Sequence, residues 1–339
     1  MSTVMSQFFS AAPTTLHRRQ FLQITAAVGA AALAGGMLTP VLTPAATTVQ
    51  VARTLMGTRV HLTVSAPDRQ SAQHAITTTL AAMTRLITFF DHRQPASPLA
   101  TLNRNGALDA APPELLDVLQ RAIAFGELTG GAFDITVKPL LDAQRAGTDP
   151  TAQRPLVDFR QIAISDQRVQ LRIPGAAITL DGIAKGRVID GGIAALRQLG
   201  FDHILVEAGG DLRALGARVD GTAWQVGLTH PRHAAQGKIL AVLPLSAQAV
   251  ATSGDYMNSF TTDYSQHHIL DPRSGHSPVE LASATVLAAT AMEADALGTA
   301  LMVLGSTAGL TLAERLPGVE ALVVTKDLRI LKTSGMMVT

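Results

Sequence analysis

The sequence predicts an α+β fold: one compact domain of mixed and antiparallel sheets with packed helices. Three observations carry this. Strands and helices alternate irregularly, with several direct strand-to-strand connections, which disfavours a doubly wound parallel sheet. Hydrophobic residues are 47% and charged residues 16% of 339 positions, enough apolar material for a large core. No internal repeat and no Pro/Ser-rich break divides residues 47–339, so a single domain is the expectation there.

The elements follow from local patterning. Thr48 to Val64 alternates as strands, with Gly57 marking a turn or bulge. Asp68 to Phe90 reads as a helix, because Ala72, Ile76, Leu80, Met83, Ile87 and Phe90 recur at spacings of four and three. Asp91 to Gly106 is polar and contains prolines, and reads as a loop. Pro113 to Leu128 is a second helix, closed by Gly130-Gly131. Val169, Leu171 and Ile173 alternate as a strand. Ala177 to Leu180 reads as another strand, running through Asp181-Gly182 into a helix that ends near Gly200. Ile204 to Val206 is a strand that stops at Gly209-Gly210. Further strands are expected near Trp224–Leu228, Ile239–Leu243 and Ala284–Ala288. A helix follows over about Ala291–Leu304, then a hairpin over Ala321–Leu331 around Lys326-Asp327.

The first 46 residues stand apart. His17-Arg18-Arg19-Gln20-Phe21-Leu22 precedes an Ala/Gly-rich apolar run from Ile24 to Leu38 and then Thr43-Pro44-Ala45-Ala46. A basic start, a mild apolar stretch and a small-residue end make an export signal. The adjacent arginines resemble the twin-arginine type. The expected address is the periplasm; the alternative is a retained inner-membrane anchor facing it. Removing residues 1–46 takes away two arginines and no acid, so the formal charge goes from +1 to −1. With near-neutral charge and 4% aromatics, a nucleic-acid partner is not expected. Zero cysteine excludes disulfides, thiolate metal sites and a cysteine nucleophile.

The late helix is the most informative segment. Thr290 to Glu293 forms a capping box, which fixes the helix phase. Asp295 and Thr299 are then one turn apart on one face, while Leu297, Leu301 and Leu304 face the core. A carboxylate and a hydroxyl so placed offer two hard oxygens to one Mg²⁺; the same spacing also describes a solvated helix face. Leu180 to Gly186 is a strand–turn–helix whose free N–H groups attract phosphate, with Lys185 as an added point charge. A plain tight turn with a surface lysine fits as well. It has no Walker pattern, and no G-x-G-x-x-G fingerprint follows a strand. Phe133, beside Gly130-Gly131 and Asp134, reads as core on composition alone, and His268 stands just before a turn. Met56 is a soft side chain of the kind that packs on flat rings.

Together these segments resemble the ApbE family of FAD:protein FMN transferases. Met56-Gly57-Thr58, Ser97 with Leu99 and Asn103, Gly130 to Leu140, Gly182 to Gly186, Gly209 to Asp211, Ser253 to Tyr256, His268 to Gly275 and Ala294 to Thr299 follow that family's motif order. The resemblance implies an α+β fold, FAD as substrate, and Mg²⁺, with Mn²⁺ as the alternative, held by Asp295, Thr299 and the Ala184 carbonyl. It also implies that Met56, Ala132, Phe133, Asp134, Asp181, Lys185, Arg187 and His268 contact FAD, with Lys185 near the pyrophosphate. His268 is the candidate general base. The implied partner is a redox protein with a Thr or Ser flavinylation site, and any membrane association would come through that acceptor or a retained signal. The chain departs from the pattern at Arg187, where many members carry Tyr, and at Arg93, where an aromatic often stacks on the flavin and a guanidinium plane can do the same. It departs again at Gly298, where some members carry an acid.

Overall fold

A computed structural model describes residues 47–233 and 236–339; the signal assigned to residues 1–46 lies outside them. β1 (Thr47–Leu55) and β2 (Thr58–Ala66) form an antiparallel hairpin. Its turn, Met56-Gly57, has φ of 51° and 69°, the left-handed pair whose twist matches the flanking strands. Glycine adopts this freely, whereas Met56 bears roughly 1 kcal/mol of strain for it. α1 (Arg69–Phe90) starts at Asp68, whose carboxylate accepts the Ser71 N–H at 2.8 Å, and it buries the stripe read from the sequence, with Leu80 half-buried.

The expected loop over 91–106 contains a helix, α2 (Pro98–Asn105). Ser97 caps it by accepting the Ala100 N–H at 3.0 Å, Pro98 opens it, and Gly106 closes it at φ 71°. Eight residues are too few to show periodicity, and the stop and start signals were the whole message. β3 (Ala107–Leu108), α3 (Pro113–Leu128) and α4 (Lys138–Arg145) follow, then β4 (Ile162–Ser165) and β5 (Arg168–Leu171), which pair with β3 in a small sheet.

The strand expected over 177–180 is not formed. That segment is held instead by a side chain. Asn103 donates Nδ2–H to the Ile178 carbonyl at 2.8 Å and accepts the Ile178 N–H at 2.7 Å, and the Thr179 N–H reaches the Ile135 carbonyl at 2.8 Å. An asparagine satisfying both backbone groups replaces the missing ladder partner. Asn103→Ala should therefore leave two backbone groups unpaired and cost about 1–3 kcal/mol in a urea melt; an unchanged midpoint would show that water replaces the amide.

α5 (Ala184–Gln198) leads into β6 (Ile204–Ala208) and β7 (Asp211–Leu215). Gly209 and Gly210, at φ 59° and 99°, join these strands as a hairpin turn and do not end the sheet. β8 (Trp224–Thr229), β9 (Ile239–Leu245), β10 (Ala249–Gly254), β11 (Leu281–Ala288), α6 (Ala291–Arg315), β12 (Glu320–Thr325) and β13 (Ile330–Lys332) complete the chain. The main sheet is antiparallel, in the order β1-β2-β6-β7-β10-β11-β12-β13. Helices α1, α5 and α6 cover one face, where Met83, Ile189 and Leu301 are buried. The β8–β9 hairpin covers part of the other, packing Trp224 and Leu243 on Leu205, Leu212 and Val250. β11, covered on both sides, is buried at all eight positions. α6 runs past the expected end near Leu304. Gly305 breaks it at φ 78°, and the Glu280 carboxylate caps the second half by accepting the Ser306 N–H at 3.0 Å.

Candidate functional site

The site gathers where α5 begins, where α6 begins and where β7 and β10 meet. Asp190 of α5 fixes the first two relative to each other. Its carboxylate accepts the Ala291 and Met292 N–H groups at 3.0 and 2.9 Å and pairs with Arg213 at 2.7 Å. Thr290 accepts the Glu293 N–H at 3.2 Å, so the expected cap residue is in place. The first N–H groups of α6 are thus all answered by acceptors, and the phase of Asp295 and Thr299 is set. Gly186 lets the two helices touch: a Cβ there would sit 2.2 Å from the Ala291 carbonyl oxygen.

Asp295 is buried, and its Oδ2 accepts the Gly186 N–H at 3.0 Å. Burial, reinforced by the nearby Asp211 carboxylate, pushes its pKa up to about 7. Lys185 reaches Asp211 at 2.6 Å. Burial works against its charge, but Asp211 and Asp295 outweigh it and hold its pKa above the ordinary lysine value. Asp211 in turn accepts the Thr252 N–H at 3.0 Å, tying β7 to β10. Next to it in the sequence, Ser253 lies 3.4 Å from the Thr299 hydroxyl. On the other side of that hydroxyl, a Cβ at position 182 would come within 3.0 Å of it, so glycine keeps the space open.

A pocket of about 110 Å³ opens over these groups. Ala132, Phe133 and Asp134 form one wall; Asp181, Gly182 and Lys185 form another; His268, Asp295 and Thr299 close it. The structure therefore brings together residues that lie 167 positions apart in the chain, from 132 to 299. Phe133 is also core, packed edge-on to Phe125 with ring centroids at 6.2 Å. Asp134 is buried, and its carboxylate accepts the N–H groups of Thr136 and Phe159. Burial raises its pKa, although the Thr136 bonds pull the other way. It fastens the wall as much as it faces the pocket.

Three expected residues are not in the lining. Met56 sits in the β1–β2 turn, half-buried against the main core. Arg187 turns to Asp117 of α3 at 3.2 Å. Ala184 is the first residue of α5, beside Lys185. Conversely, the apolar end of the pocket, Val137, Leu141, Met257 and Leu270, carried no chemical signal in the sequence. Asp190, which orients α6, is the one acid on α5, and nothing in the local sequence marks it as the fastening between the two helices.

His268 is half-buried, its Nδ1 is shut off from solvent without a partner among the described residues, and its ring lines the pocket. Burial, with His267 adding to it, pushes its pKa down to about 4 against the pull of Asp181. The imidazole is neutral at pH 7. Between pH 4 and the unfolded value near 6.5 the native state binds fewer protons than the unfolded chain, so stability rises with pH across that window. Asp295 pulls the other way over this window, so the His268 effect is read as a difference: the melting temperature of the parent relative to His268→Gln should fall as pH drops from 6.5 to 4.5, and a difference that does not change with pH would place the effect elsewhere.

Among the described residues no cluster of three or more His, Cys, Asp or Glu side chains is arranged to hold a metal. The Asp295 carboxylate, the Thr299 hydroxyl and backbone carbonyls are a different set, of hard oxygens, and they fit a small divalent cation. Asp295 supports this reading, since its burial beside another acid leaves its negative charge poorly matched by the protein alone.

Known proteins resemble this chain in both sequence and fold. A twin-arginine translocation signal profile matches residues 15–35. The FAD:protein FMN transferase of Treponema pallidum is 32% identical over 274 residues, covering 71% of this chain and 74% of that protein. That of Vibrio cholerae is 32% identical over 234 residues, covering 64% and 70%. The crystal structure of the ApbE protein from Thermotoga maritima superposes with a TM-score of 0.76 at 28% identity, over 85% of this chain and 97% of that one. The flavin transferase ApbE from Vibrio cholerae gives 0.72 at 26%, over 85% and 98%. The ApbE family profile matches residues 56–323, so with this fold and these motifs the chain belongs to the ApbE family.

Proposed function

We propose that the chain is an exported FAD:protein FMN transferase that acts in the periplasm on a Thr or Ser hydroxyl of a redox protein. The observation that carries this reading is the pairing of Asp295 and Thr299 across one pocket from His268, in a chain whose relatives bear that name.

The acceptor oxygen attacks the FMN-side phosphorus of FAD. The phosphoanhydride bond to the AMP phosphate breaks, its electron pair leaves with AMP, and FMN stays joined through a phosphoester. Such transfers depend on positioning and charge neutralisation more than on covalent help. His268, neutral at pH 7, accepts the hydroxyl proton at Nε2, because Nδ1 is enclosed. Asp295, Thr299 and the Ala184 carbonyl would hold Mg²⁺ or Mn²⁺, which supplies positive charge to the diphosphate. Lys185, tied to Asp211, adds a fixed cation beside that position. The apolar end formed by Val137, Leu141 and Leu270 excludes water from one part of the substrate.

The test is incubation of the purified protein with FAD, Mg²⁺ and a candidate acceptor. Mass spectrometry should find a covalent FMN adduct on a Thr or Ser, with AMP released in equal amount. AMP and FMN formed equally without acceptor would make the chain a pyrophosphatase. FAD bound without AMP release would make it a carrier.

A further inference from the structure

The charges lining the pocket set a problem for the substrate proposed above. Three carboxylates line it, Asp134, Asp181 and Asp295, against two cations, Arg145 and Lys185. Asp134 is engaged by backbone N–H groups, and Lys185 is claimed by Asp211. Asp181 is different: its side chain is 37% exposed, and among the described residues Arg93 is its hydrogen-bond and ion-pair partner, at 2.9 Å. Arg93 lies outside the lining, in the loop between α1 and α2, 88 positions away in sequence. A second carboxylate, Asp91, steadies its guanidinium at 3.5 Å. Asp91 also ties that loop down by accepting the Arg93 N–H at 3.0 Å.

We infer that Arg93 is a positioning residue for the dianionic dinucleotide: it neutralises and orients Asp181, so that a diphosphate can enter a pocket otherwise edged by an open carboxylate. The inference rests on FAD being the substrate. The physical ground is simple. An unpaired carboxylate at the pocket wall repels a diphosphate, and at a half-exposed site that repulsion is partly screened, so the effect is moderate and depends on salt. Removing the arginine unmasks the charge; removing the charge as well makes the arginine unnecessary. A role in holding the fold alone would show no such compensation.

The test is FAD affinity by flavin fluorescence quenching, at low and at high salt, with riboflavin as the uncharged control. Arg93→Ala should weaken FAD binding about 10-fold at low salt, and less at 0.5 M salt, with riboflavin unaffected. Arg93→Lys should recover part of the loss. The double variant Arg93→Ala/Asp181→Asn should bind FAD more tightly than Arg93→Ala alone, a non-additivity expected only of directly coupled groups. Unchanged FAD binding in Arg93→Ala, an equal loss for riboflavin, or no recovery in the double variant would each overturn the inference. A parent protein that binds FAD but transfers no FMN would overturn the transferase reading and leave this one standing; a parent that does not bind FAD would overturn both.

Discussion

Asp295→Asn is expected to lower FMN transfer by about 100- to 1,000-fold while leaving the fold intact or slightly stabler. The substitution keeps the shape and keeps an oxygen to accept the Gly186 N–H, now 3.0 Å from Oδ2. It removes only the charge. The native pKa near 7 lies above the unfolded value of 3.8, so Asp295 favours folding at low pH and loses that contribution as pH rises through 7. At pH 8 the neutral amide should therefore melt at the same or a higher temperature. At the proposed metal site the same linkage would set the pH dependence of binding: below pH 7 a proton would have to leave Asp295 before a cation took its place, so Mg²⁺ affinity should rise with pH and level off above 7. The variant should show neither the affinity nor the slope. Calorimetric Mg²⁺ titrations at several pH values, run beside the transfer assay, check both. Full transfer activity in Asp295→Asn would remove the metal from the proposal.

Gly186→Ala should be severely destabilising for a single added methyl group. Its Cβ would lie 2.2 Å from the Ala291 carbonyl oxygen and 2.5 Å from the Met292 nitrogen, atoms of one peptide unit flanked by the two N–H groups that Asp190 accepts. Neither can rotate away, so α5 and α6 must separate, carrying Asp295 and Thr299 with them. A loss of about 3 kcal/mol or more is expected. Gly305→Ala makes the useful contrast: its Cβ would also come within 2.2 Å of an atom, but that atom is the Glu280 Oε2, the end of a flexible side chain. Its cost should be nearer the roughly 1–3 kcal/mol of a residue held at φ 78° and ψ −179°, a region essentially reserved for glycine. Urea denaturation of the two variants should rank them in this order; the reverse order would mean that the helix contact relaxes more readily than the kink.

Single segments left the site residues with plain structural readings, and it was the motifs taken in order that singled them out. The capping box at Thr290 fixed the phase of α6, and that phase placed Asp295 and Thr299 together. The Asp68 to Phe90 stripe gave α1, because 22 residues contain enough turns for a period of 3.6 to stand out. What escaped were short elements and side-chain fastenings. α2 has too few residues for a period. β7 hid behind Gly209-Gly210, since two glycines mark a strand end and a hairpin turn equally well. The 177–180 segment has the composition of a strand, yet its partner is the amide of Asn103, more than 70 residues earlier.

The sequence by itself determined the class of the fold, the family and the presence of Asp295 and Thr299 one turn apart on α6, because these rest on local patterns and on the order of motifs along the chain. The tertiary structure alone decided that Lys185 answers Asp211, that Arg93 answers Asp181, that Arg187 turns to α3, and that Asp190 holds α5 to α6. Pairings of this kind depend on distances between segments far apart in the chain. A local pattern states which side chains can be charged or can donate and accept; only packing states which of them meet.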